Sequence, residues 1–157
     1  MSDSIKLTKY AIEYLSKFSS SKKNLERLLN SKIRRMKSEK KERFYLYKMI
    51  PEIILKLENN KLIDDKQYAD SKIRLLAQQG KSNLFIKNYL FTKGIEKSTI
   101  SDSILNYENQ NPGWETEAAS IFINKKRLIK SLENNQKNFS KMARAGFSYD
   151  ISKKLLS

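Results

Sequence analysis

The chain has no cysteine and no histidine in its 157 residues. That excludes disulfides, thiol chemistry, histidine-based triads and the usual zinc sites together. Carboxylates, Lys, Tyr and Ser are the catalytic groups left, and no carboxylate constellation stands out. The expectation is a non-enzyme with no catalytic residue, no metal and no cofactor. No run of about 18 apolar residues occurs, so no membrane span is expected. The opening "MSDSIKLTKY" has no apolar core of the kind a secretory signal carries, and a cytoplasmic location is expected. Four Gly and two Pro leave few breaks. Strand-type alternation is scarce, so the fold class expected is all-α. "GKS" at 80–82 lacks the upstream Gly and the strand that a phosphate-binding loop needs.

What the chain has is positive charge. It carries 32 Lys+Arg against 17 Asp+Glu, a formal net charge of +15. Such a chain repels itself, and an acidic partner relieves the repulsion: nucleic acid, an acidic protein surface or an anionic membrane. The excess is mostly Lys, a solvated point charge on a flexible stem, so each Arg is the more informative residue.

Apolar residues recur at steps of three and four along most of the chain, the mark of amphipathic helices. The first stripe is Leu7, Tyr10, Ala11, Tyr14, Leu15 and Phe18. Ser21 is placed to cap a second helix bearing Leu25, Leu28, Leu29, Ile33 and Met36. The charged stretch "KSEKKER", 37–43, reads as a solvated extension of that helix. Pro51 fits the first turn of a new helix with Ile53, Ile54 and Leu57. Asp64 or Asp65 caps the next, which turns Tyr68, Ala69, Ile73, Leu76 and Ala77 inward and ends at Gly80 in a left-handed conformation. Ser82 opens a short helix closed by Gly94, and a further helix carries Ile100, Ile104 and Leu105. "NQNPGW", 109–114, is the clearest break. Beyond it lie a helix with Ala118, Phe122, Ile129 and Leu132 on one side, another with Phe139, Met142 and Ala143 ending at Gly146, and a last one capped by Ser148. Trp114 is read as a plug between the second and third units, with exposure to a partner as the alternative.

That makes about nine helices, and two stretches repeat each other. In "YLFTKGIEKSTI", 89–100, and "KMARAGFSYDIS", 141–152, a helix ends at a Gly, a bulky apolar residue follows (Ile95, Phe147), and a capped helix begins. The apolar residue is placed to pack back on the helix just ended. In the first unit the matching skeleton is "LLNSKI", 28–33, with Lys32 where Gly would stand, so any turn there is expected to be looser or displaced. Three tandem three-helix repeats are therefore expected, 1–63, 64–110 and 114–157, stacked in an elongated, curved array.

With these residues placed, the chain resembles the RecX family, small bacterial regulators of the RecA recombinase. The likeness runs from about Tyr10 to the end and is most specific over "LIDDKQYADSKIRLLAQQGKSNLFIKNYLFTKGI", 62–95. Asp64, Asp65, Tyr68, Ala69, Gly80, Ile86, Leu90, Lys93, Gly94 and Ile95 match the family pattern there. "AASIFINKKRLIK" and "KMARAGFSYDISKKLL" are similar to its third repeat. After Gly80 many members carry a small residue and an Arg; here "KSNLF" stands. The resemblance implies a protein that lies in the groove of the RecA–DNA filament, blocks its extension, and lowers ATP hydrolysis and strand exchange.

The candidate binding residues are basic: Lys22, Lys23, Arg34, Arg35, Arg74, Lys81, Lys87, Lys125, Lys126, Arg127, Lys141 and Arg144. A lone Lys is ordinarily a solvated charge, but a long basic surface gains from many weak phosphate contacts. Such contacts are largely blind to sequence. The partners expected are the RecA filament and single- or double-stranded DNA through its phosphates. The alternative is a sequence-nonspecific helical nucleic-acid module with no recombinase partner. A monomer is expected, since the stripes account for the apolar residues.

Overall fold

The sequence punctuates its helices with side chains that satisfy orphan backbone groups, and most of these devices operate. The computed structural model describes residues 2–157, which form ten helices and no strand. They are α1 (Asp3–Lys17), α2 (Lys22–Met36), α3 (Lys40–Tyr47), α4 (Ile50–Asn59), α5 (Asp65–Gln78), α6 (Asn83–Thr92), α7 (Lys97–Gln110), α8 (Trp114–Lys126), α9 (Asn135–Arg144) and α10 (Tyr149–Leu156). Ser21 Oγ accepts from Asn24 N, and Ser148 Oγ accepts from Ile151 N. Pro51 lies in the first turn of α4, where its missing N–H costs no helix bond.

One expectation in the first third needs correction, and the first-unit turn is displaced. The stretch 37–43 does not extend α2. The backbone turns extended at Lys37, and α3 starts at Lys40. Arg43 makes the break tolerable: its Nε donates to Lys37 O at 2.6 Å and its Nη2 to Arg34 O at 3.4 Å. This extra break raises the helix count to ten. Nor does a turn occur at Lys32, which lies inside the unbroken α2. The left-handed residue of this region is Lys61, with φ 58°. Leu62 N donates to Leu57 O and Lys61 N to Glu58 O, the same helix-ending pattern in which Lys81 N donates to Leu76 O and Gly80 N to Ala77 O. Arg127, φ 53°, ends α8 in the same way. Gly94 and Gly146 have φ of 78° and 93°, and Ile95 and Phe147 after them are buried.

The helices fall into two compact units, residues 1–68 with 93–95, and residues 69–92 with 96–157. In the first unit α1, α3 and α4 pack on α2. Leu7, Leu25, Leu29, Ile33, Ile53 and Leu57 form its core. Each such side chain contributes about 1.5–3 kcal/mol by leaving water. Asp64 and Asp65 divide their work. Asp64 Oδ1 accepts from Lys66 N and Gln67 N and caps α5, while Asp65 Oδ1 accepts from Lys22 N and caps α2.

In the second unit α6 packs on α7, and α10 on α8 and α9. Ile73, Ile86, Leu90 and Met142 are fully buried. Trp114 is buried against Tyr107, edge to face at 5.6 Å, so its role is packing. Ile129 and Leu132 do not continue the α8 stripe; they follow its end and are 73% and 96% exposed. Leu105 is also exposed. The stripes therefore do not account for all the apolar residues: Phe44, Tyr45, Phe91 and Tyr149 stand on the surface as well. Among the described residues no helix is long and apolar enough to cross a membrane.

Candidate functional site

The basic residues of the first unit divide between the two ends of α2. Thirteen steps of about 1.5 Å separate Lys22 from Arg35, roughly 20 Å along the axis. At the N-terminal end the charges are occupied. Lys22 Nζ pairs with Glu58 at 2.9 Å and Lys23 Nζ with Glu26 at 3.5 Å. The Lys23 stem lies directly against Gly94, where no Cβ could fit. Ser21 Oγ donates to Lys93 O at 2.5 Å and holds that turn in place.

At the C-terminal end the charges gather around a tyrosine. Arg35 Nη2 donates to Tyr10 OH at 3.2 Å, and Lys32 Nζ sits 4.8 Å from the Tyr10 ring centroid. Arg34 Nη2 donates to Ser31 Oγ. Lys6, Lys9, Lys32 and Lys37 line an open groove of about 410 Å³ here, with Asp3 and Glu13 as its acids. Lys37 Nζ reaches Asp3 at 3.6 Å and Glu42 at 3.9 Å. Lys6, Lys9 and Lys32 were not among the sequence candidates. The signal available was their spacing: Lys6 and Lys9 lie one turn apart beside Tyr10, and Lys32 one turn from Arg35.

In the second unit the turn 79–82 gathers charges that are far apart in sequence. Gly80 lets α8 approach: a Cβ there would meet Ile121 Cγ2 and Phe122 N at 3.0 Å and Ala118 O at 3.2 Å. Lys125 Nζ donates to Gln79 O at 2.9 Å, a carbonyl just past the end of α5. On the other side Ser82 Oγ donates to Ala145 O at 2.7 Å and accepts from Phe85 N at 3.1 Å. Lys81 therefore lies between the α8 contact and the α9 contact, and Arg144 is the neighbour of the residue Ser82 holds. The structure thus brings Lys81, Lys125 and Arg144 to one turn. Lys141 and Arg144 are exposed on one face of α9, and the exposed Lys137, missed in the sequence, extends that row by one turn. Lys126 and Arg127 are exposed at the end of α8. Arg74 and Lys87 are exposed on α5 and α6, outside this turn.

These groups can hold anions and little else. Asp65 is a carboxyl whose ionisation is displaced. Burial pushes it above its ordinary value, and the Lys22 N–H and ammonium pull it partly back. Its Oδ1 accepts from Lys22 N at the start of α2. Among the described residues no three His, Cys, Asp or Glu converge to hold a metal.

No protein-family model matches the chain. Individual proteins do. A regulatory protein RecX of Myxococcus xanthus is 29% identical over 154 residues, 93% of this chain and 81% of that protein. One from Streptococcus equi subsp. equi is 31% identical over 128 residues, 77% of this chain; the match spans 49% of that longer protein. The crystal structure of RecX from Lactobacillus salivarius superposes with a TM-score of 0.70 at 28% identity, covering 97% of this chain and 93% of that one. An all-helical chain with left-handed glycines at its repeated helix ends, matched nearly end to end by proteins of that name, belongs to the RecX family.

Proposed function

We propose that this chain regulates the RecA recombinase: it binds the RecA–DNA filament and inhibits its extension, ATP hydrolysis and strand exchange. Membership of a family of regulatory proteins supports the reading. The observation that carries it is the turn 79–82. There Gly80 lets α8 approach, Ser82 Oγ donates to Ala145 O beside Arg144, and Lys125 Nζ donates to Gln79 O, which supports reading Lys81, Lys125 and Arg144 as one anion-binding group. A net charge of +15 suits phosphate and acidic protein surface.

The test reverses charge where the fold does not depend on it. Lys125 and Arg35 hold internal groups, so Lys126, Lys141 and Arg144 are replaced by Glu, with Arg34→Glu added for the first unit. The variant should keep the wild-type helical signal and lose most inhibition of recombinase ATP hydrolysis. Each phosphate contact removed should also reduce the salt slope of DNA binding by about one. A folded variant that inhibits as the wild type does would refute the basic-surface mechanism.

A further inference from the structure

Helix α6 turns aromatic rings outward. Ile86 and Leu90 are fully buried, and the opposite face carries Leu84, Asn88 and Phe91 at i, i+4 and i+7. Phe91 is 58% exposed and Phe85, at the edge of that face, 40%. Stability does not call for exposed Phe, since an apolar ring in water gives up the burial energy that makes it useful. Each ring has a lysine over it from the chain just outside the helix. Lys81 Nζ lies 4.7 Å from the Phe85 centroid, and Lys97 Nζ 5.8 Å from that of Phe91. Lys87 is exposed on the other edge of the face. From Ser71 to Ile95 the chain has no Asp or Glu, so α6 itself contributes no acid beside its rings; the Glu115 carboxylate of α8 accepts from Asn83 N at the start of the helix.

We propose that the outer face of α6 is a stacking platform for the unpaired bases of single-stranded nucleic acid, with Phe91 and Phe85 as the stacking rings and Lys81, Lys87 and Lys97 as phosphate contacts. This rests on the reading of the second unit as a nucleic-acid surface and adds a preference to it: unpaired strands over duplex. An exposed cation–π contact contributes about two- to fivefold to an equilibrium, whereas a stacked base contributes about 5- to 150-fold. A base therefore displaces the lysine from the ring, and the freed ammonium turns to phosphate. In a duplex the base faces are already stacked on each other, which leaves the rings without a ligand. An apolar protein partner fits less well, because three lysines border the rings with no acid of α6 among them.

The experiment measures binding of the full chain to three fluorescent probes by anisotropy: oligo-dT, a duplex of equal length, and an abasic single strand that keeps the phosphates. Phe91→Ala should weaken oligo-dT binding about 5- to 150-fold and leave duplex and abasic binding unchanged. Phe91→Trp should restore affinity, and its emission should be quenched by oligo-dT against the constant background of buried Trp114. Equal losses on all three probes, or no loss on oligo-dT, would overturn the stacking platform. So would normal oligo-dT binding with lost recombinase inhibition, which makes α6 a protein-docking face. A wild type with no affinity for the abasic strand but a Phe91-dependent affinity for oligo-dT would overturn the phosphate reading and leave the platform supported.

Discussion

Replacing Gly146 by Ala tests the repeated helix end through which the second unit gathers its charges. Gly146 has φ 93°, and a left-handed conformation costs an L-residue about 1–2 kcal/mol. The reduced freedom of the unfolded chain returns about 0.4–1 kcal/mol of that. A second cost is specific to this site. The new Cβ would overlap Ser82 Oγ and approach Leu84 Cβ to 3.2 Å. Ser82 is fully buried and cannot move without loosening its bonds to Ala145 O and from Phe85 N. At about 0.5–1.5 kcal/mol each, those bonds bring the total to about 2–4 kcal/mol. Gly113 is the internal control: its φ is 76°, and a Cβ there meets nothing within 4 Å. Gly113→Ala should therefore cost only the backbone part, about 1 kcal/mol or less. In urea unfolding, the midpoint of Gly146→Ala should fall by about 1–2 M at an ordinary slope for this size. The double variant Ser82→Ala/Gly146→Ala should cost less than the sum of the singles, because removing the hydroxyl removes the overlap. Equal costs for Gly146→Ala and Gly113→Ala, or strict additivity, would refute the reasoning.

Lys61→Gly should raise stability by up to about 1 kcal/mol, since it relieves a left-handed lysine at the end of α4; a lower urea midpoint would contradict that reading of the turn. Asp65 gives a pH dependence whose sign is fixed. Burial holds its folded value above the ordinary 3.8, so its contribution is full below 3.8 and is lost as pH rises through the folded value. Asp65→Asn keeps an acceptor for Lys22 N and removes the titration, so the wild type should gain on the variant as pH falls from 7 toward 4. A difference independent of pH would show that the carboxyl is not held by burial. Asp65→Ala, which takes the acceptor from Lys22 N and leaves Ser21 as the only side-chain cap of α2 described, should cost about 1 kcal/mol near neutral pH, read from the same unfolding curves.

The helix ends were legible wherever a residue type states its own conformation. Ser21, Ser82 and Ser148 at caps, Pro51 at a first turn and the glycines at left-handed positions follow from local chemistry, and the structure has them in those places. Lys61 and Arg127 were not legible. A left-handed lysine costs only about 1–2 kcal/mol, a sum that tertiary packing readily overrides and that leaves no compositional mark. The missing Gly at Lys32 marks the first-unit turn as displaced but does not say where it goes; Lys32 lies inside the unbroken α2. The break at 37–39 depends on Arg43 reaching back to two carbonyls, a partner choice that periodicity does not encode. Ile129 and Leu132 fall in register with the α8 stripe, so periodicity alone carries the helix past its end; the helix stops at Lys126, before a left-handed arginine, and both then face water. For the site, sequence found the basic residues but could not sort them. Lys22 and Lys125 are tied to Glu58 and Gln79 O, the Tyr10 groove joins two helices, and the meeting of Lys81, Lys125 and Arg144 depends on contacts between residues more than forty apart.

The proposed action on a recombinase filament, and not on nucleic acid alone, is tested most directly by ATP hydrolysis of RecA on single-stranded DNA with this protein titrated in, its own DNA binding recorded beside it. Hydrolysis should fall at ratios far below those needed to coat the DNA. Hydrolysis that falls only as the protein saturates the strand would contradict it, and would leave a basic helical module competing for phosphate.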